Sequence, residues 1–125
     1  MTDMKRRPVI VVEDDASMSQ ALERILRLGG HEARIYVSAE AYLENDARAD
    51  VACFIIDLQL PGIGGFELRT QLAPRHASAP VIFITAFDTL EARTQAQQAG
   101  AAAFLVKPFS GRALLETVER ALRAS

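Results

Sequence analysis

Five short apolar runs, each followed by a stretch of helical spacing, constrain this chain more than any other feature. Val9 to Val12, Ala33 to Val37, Val51 to Ile56, Val81 to Ile84 and Ala102 to Val106 have strand length and strand composition. Continuous apolar runs, as opposed to alternating ones, suit strands covered on both faces. Strict alternation with helical segments calls for a parallel sheet with right-handed crossovers and helices on either side. The expected class is therefore α/β, a three-layer (βα)5 sandwich.

The intervening segments carry their own signals. Met18, Leu22, Ile25 and Leu26 form an apolar stripe at helical spacing, and Gly29-Gly30 is suited to ending that first helix. Ser38 is placed to cap a second helix reaching Asn45, and Gly65 to Leu72 reads as a third, closed before Pro74. Asp88-Thr89-Leu90-Glu91 has capping-box spacing, which makes Asp88 the expected cap of a fourth helix. The buried side of that helix would be Ala92, Ala96 and Ala99, which remove little apolar area from water, so loose attachment is expected. Ser110 caps a last helix with the stripe Leu114 or Leu115, Val118 and Leu122. For five such units the flavodoxin-like strand order 2-1-3-4-5 is the common solution.

Half of the 125 residues are apolar, enough for one core and too few residues for two, so a single domain over 1–125 with its core at 8–123 is expected. A formal charge of -2 gives no basic footprint for nucleic acid. The single cysteine, Cys53, excludes an internal disulfide and a cysteine-based zinc site, and within an apolar run it reads as a buried small hydrophobe. Met1 to Pro8 lacks a signal-peptide core and no apolar run nears a membrane span, which points to a soluble cytoplasmic protein. Lys5-Arg6-Arg7 reads as a solvated tail, and His31 and His76 read as solvent-facing loop residues.

The chemistry gathers at strand ends, where ligands collect in open parallel sheets. The third run delivers Asp57 into Leu58-Gln59-Leu60-Pro61-Gly62, and the first ends in Glu13-Asp14-Asp15. With the first and third strands adjacent, Glu13, Asp14 and Asp57 would converge, and like charges so close call for a cation. Hard oxygen ligands in a partly hydrated pocket suit Mg²⁺. The fourth strand ends in Thr85-Ala86 and the fifth in Lys107-Pro108-Phe109. A carboxylate nucleophile, a metal-binding acid cluster, a hydroxyl and an ammonium together suit phosphoryl transfer by positioning and charge stabilisation.

Those residues resemble the response-regulator receiver domains of two-component signalling, over Val9 to Leu122. The resemblance implies that Asp57 is the phosphoacceptor, with Thr85 and Lys107 completing the catalytic set. It implies Mg²⁺ bound by Asp14, Asp57 and the backbone carbonyl of Gln59, with Glu13 acting through water. It implies a cis Lys107-Pro108 bond that aims the lysine, a Leu58 backbone amide lent to the phosphate, and a switch pair, Thr85 and Phe104. Phe104 stands where Tyr is usual, so the switch would work by packing without a hydroxyl. Helix four, strand five and helix five would form the output face. The implied partners are a histidine kinase or phosphotransfer protein, an output domain or partner protein, and a second copy in a homodimer through that face. Self-phosphorylation and autodephosphorylation are the only activities implied. Ser38-Ala39-Glu40-Ala41 and Ile55 to Pro61 resemble receivers of the nitrogen-fixation regulator group. Gln59, two after the phosphoacceptor, and Phe87, two after the threonine, would flank the path of an attacking water, with Phe87 screening the phosphoryl group and slowing its loss.

Two other classes use similar parts. A metal-dependent phosphohydrolase of the aspartyl-nucleophile type could employ the same aspartate, but such enzymes carry a second Asp two residues on, where this chain has Gln59. A flavin- or nucleotide-binding module needs a phosphate cradle after the first strand, and Glu13-Asp14-Asp15 would repel the phosphate. A free-standing receiver and the receiver part of a transcription factor both remain open.

Overall fold

The structure is a computed structural model and describes residues 7–45 and 50–124. Five strands, β1 (Val9–Val12), β2 (Ala33–Tyr36), β3 (Cys53–Asp57), β4 (Val81–Thr85) and β5 (Ala103–Val106), pair in parallel in the order β2-β1-β3-β4-β5. The helices between and after them are α1 (Ala16–Leu28), α2 (Ala39–Glu44), α3 (Gly65–Leu72), α4 (Leu90–Gln98) and α5 (Gly111–Ala124). This is the expected three-layer sandwich in the expected order. Among the described residues no helix is long and apolar enough to cross a membrane.

Side chains alternate across each strand, so the sheet feeds two cores. Val9, Val11, Cys53, Ile55, Ile82 and Ile84 face α1 and α5, where Leu22, Leu26, Leu114 and Val118 are fully buried. Ile10, Val12, Phe54, Ile56, Val81 and Phe83 face the opposite layer, packed by Tyr42, Leu68, Leu72 and Ala96. The central strands β1, β3 and β4 are buried along their whole length, whereas β5, at the sheet's edge, is only half-buried. Burial pushes the Cys53 thiol up to about 12, so it is an inert core atom.

Three local expectations need correction. The α4 cap is Thr89, whose hydroxyl accepts from the Ala92 amide at 3.0 Å, while Asp88 lies one residue outside and pairs with Arg93. Of the expected Ala stripe only Ala96 is buried. His76 is not solvent-facing: it is 5% exposed, packs edge-on against Phe54 and shares a hydrogen bond with the Tyr42 hydroxyl at 3.2 Å. Its neighbours in the chain gave no sign of this, because both aromatic partners come from distant elements. His31 is half-buried as well. Lys5 and Arg6 lie outside the described residues, and Arg7 is exposed.

Candidate functional site

The alternation that divides the core also sorts the strand-end residues. Glu13 continues the Val9, Val11 parity of β1, Asp57 continues Cys53, Ile55 in β3, and Lys107 continues Ala103, Leu105 beyond β5. Val12 pairs with Ile56, so Glu13 and Asp57 emerge side by side. Carboxylate oxygens of Glu13, Asp14 and Asp57 lie within 4.8 Å of one another. Lys107 Nζ bridges the buried two, donating to Asp57 Oδ2 at 2.9 Å and to Glu13 Oε1 at 3.0 Å. The Lys107-Pro108 bond is cis.

The charges in this cluster do not balance. Counted as formal charges, the three carboxylates of Glu13, Asp14 and Asp57 face the single ammonium of Lys107, a surplus of two negative charges. Burial pushes the Glu13 carboxyl above its ordinary value of 4.5, and hydrogen bonds from Lys107 and the Asp15 amide offset only part of that rise, to which the Asp57 charge adds. Burial works against the Lys107 charge too, yet its hydrogen bonds to Asp57 and Glu13 outweigh it and hold the ammonium above its ordinary 10.5. Asp14 is exposed beside the buried pair. Hard oxygen donors, two surplus negative charges and an open side fit a hard divalent cation that keeps some of its water.

The β3–α3 loop wraps the site closely. Gly62 adopts φ +72°, where a side chain would be strained, and a Cβ there would also run into the Glu40 carboxylate. Glu40 Oε2 accepts from the Ile63 amide at 3.0 Å, which ties the start of α2 to this loop. A Cβ on Gly65 would stand 2.8 Å from the Asp57 carbonyl, so only glycine lets α3 begin this near the strand end. The Glu40 contact has no local sequence signal, since its partner lies 23 residues on.

Thr85 belongs to the other side. It continues Val81 and Phe83, and Phe104, paired with Phe83, shares that face. The Thr85 hydroxyl is buried, donates to Gln59 Oε1 at 2.8 Å and accepts from the Phe87 amide at 3.0 Å. Phe104 is half-buried, with the Arg93 guanidinium 4.9 Å from its ring centre and held by Asp88. Phe87 is 61% exposed. One expected group is otherwise engaged: the Leu58 amide donates to the Ile84 carbonyl at 2.9 Å, extending the β3–β4 ladder. The amide that faces the Asp57 carboxylate is that of Gln59, at 2.8 Å from Oδ1.

Comparison with known proteins agrees with this geometry. The response regulator receiver domain model matches residues 9–119. Response regulator protein FleR of Pseudomonas aeruginosa is 41% identical over 112 residues, covering 90% of this chain and 24% of that protein. Transcriptional regulatory protein FixJ of Azorhizobium caulinodans is 34% identical, covering 94% of this chain and 56% of that protein. The chain thus spans between about a quarter and about half of the curated relatives it matches. Among solved structures, a CheY-like receiver domain from Methanospirillum hungatei superposes with a TM-score of 0.88 at 26% identity, covering 96% of each chain. The chain belongs to the response regulator receiver domain family.

Proposed function

We propose that this chain is the phosphoacceptor of a two-component relay, taking a phosphoryl group onto Asp57 from a phosphohistidine on a kinase or phosphotransfer protein. The observation that carries the reading is the setting of Asp57: a buried carboxylate at a strand end, held by Lys107 Nζ at 2.9 Å and the Gln59 amide at 2.8 Å, beside Glu13 and Asp14. Asp57 Oδ attacks phosphorus, the P–N bond to the donor imidazole breaks, and an acyl phosphate forms while the imidazole leaves with the bond's electron pair. Lys107 holds one carboxylate oxygen in place and puts positive charge where the phosphoryl oxygens gather. Asp14 and Asp57, with the Gln59 carbonyl, would hold Mg²⁺, and Glu13 would act on it through water. When bound, that ion supplies charge neutralisation for the transferring group.

Thr85 then offers its hydroxyl to the phosphoryl group, and Phe104 moves inward on the face that both share. α4, anchored by a single buried alanine, shifts at low cost, so the output surface is α4, β5 and α5. The length of the relatives and the name of FixJ, a transcriptional regulatory protein, support a reading in which this receiver controls a transcriptional output. Incubation with Mg²⁺ and acetyl phosphate, read by intact mass, tests the assignment. Wild type is expected to gain one phosphoryl group that Asp57→Asn does not take; stable modification persisting in Asp57→Asn defeats it.

A further inference from the structure

Gln59 hydrogen-bonds both to the Asp57 carboxylate and to the Thr85 hydroxyl. Its backbone amide donates to Asp57 Oδ1 at 2.8 Å, and its side-chain Oε1 receives the Thr85 hydroxyl proton at 2.8 Å. The two targets belong to opposite faces of the sheet, Asp57 on the α1 and α5 side and Thr85 on the α4 side. Gln59 itself is exposed in the β3–α3 loop, so its carboxamide reaches over the strand ends to the buried hydroxyl. A hydroxyl has one proton to give. The Thr85 oxygen is already an acceptor for the Phe87 amide at 3.0 Å, which fixes where that proton can point. The other acceptor within reach, the Phe87 carbonyl, is at 3.4 Å and offers a poorer bond.

We propose that Gln59 is a positioning residue that restrains Thr85: its carboxamide oxygen holds the hydroxyl proton that a phosphoryl oxygen on Asp57 must take. This rests on the reading of Asp57 as phosphoacceptor and adds a competitor to it. Capture of Thr85 by the phosphoryl group then requires release of Gln59, so the resting site opposes its own switch by one hydrogen bond. Because the Gln59 amide stays against Asp57 while its side chain lets go, one residue passes the change from the α1 and α5 side to the α4 side.

Beryllofluoride with Mg²⁺, a mimic of an acyl phosphate, is the probe, titrated by calorimetry into wild type, Gln59→Leu, Thr85→Val and the double variant. Gln59→Leu keeps the bulk and removes the acceptor, and it is expected to lower the urea unfolding midpoint by no more than the loss of that one hydrogen bond. It is expected to bind the probe about twofold to tenfold more tightly than wild type, the size of one net hydrogen bond. Thr85→Val is expected to bind more weakly, and adding Gln59→Leu to it should change nothing further. Equal or weaker binding by Gln59→Leu overturns the proposal, as does the same gain in the Thr85→Val background. A wild type that binds no probe, or an Asp57→Asn variant that binds it equally, defeats the phosphoacceptor reading instead and this one with it.

Discussion

α1 and α4 begin alike and end very differently. Each opens on a side chain that accepts from the third residue on, Asp15 from the Met18 amide at 2.9 Å and Thr89 from the Ala92 amide at 3.0 Å. α1 then buries Leu22 and Leu26 against β1, β3 and α5, whereas α4 buries Ala96 alone. Capping contributes about 1 kcal/mol to either helix, while each fully buried leucine adds roughly 1.5 to 3 kcal/mol. Helix formation is thus secured locally in both, but attachment is secured only in α1. The difference places a fixed flank beside the acid cluster and a yielding one beside Thr85 and Phe104.

The contrast breaks most readily at the leucines. Leu26→Ala is expected to lower unfolding stability by about 3 kcal/mol, within the 2 to 5 typical of such sites. Ala96→Gly, which removes the buried side chain of α4, should cost only about 1 kcal/mol. Urea unfolding of both variants measures the gap; equal losses would show that α4 is held as firmly as α1.

The fixed flank also carries a buried charge at a cost. Glu13 holds its proton more tightly folded than unfolded, so its carboxylate lowers stability at neutral pH. That cost is full above the raised folded value and is gone below the ordinary 4.5. Wild type should therefore gain stability relative to Glu13→Gln as pH falls from about 7 toward 4, by an amount that urea unfolding across that range reads out. A loss relative to the variant would mean that the hydrogen bonds from Lys107 and Asp15 dominate.

The smallest effect is expected from Arg93→Met. The Arg93–Asp88 pair is exposed and screened, so the melting temperature should stay within error, while the Phe104 ring protons shift as the guanidinium leaves. A melting temperature lowered as much as in Ala96→Gly would make this pair a clamp on α4 rather than a cover for Phe104.

What could be read from the chain beforehand follows the same division. The strands, the α1 and α5 stripes and the strand-end acids were legible because periodicity and parity act over a few residues, and parity alone puts Glu13, Asp57 and Lys107 on one face. The burial of His76 is not legible in the sequence because it depends on Tyr42 and Phe54, which no local pattern brings to it. The α4 cap slipped by one residue because Asp88 and Thr89 are both good caps, and Arg93 draws Asp88 away. The Leu58 and Gln59 amides could not be told apart without knowing where the β3–β4 ladder stops. The Gln59–Thr85 bond spans 26 residues and two elements, so only the fold discloses it.

The central claim is that a phosphoryl group at Asp57 is read out by the loosely held flank and leaves the firmly held one in place. Hydrogen exchange by mass spectrometry, with and without saturating beryllofluoride and Mg²⁺, tests it most directly. Exchange is predicted to change in peptides from Thr85 through Val106, covering α4 and β5, while peptides of α1 from Leu22 to Leu28 stay as they were. Changes of equal size in both, or none in α4 at saturation, would contradict the account.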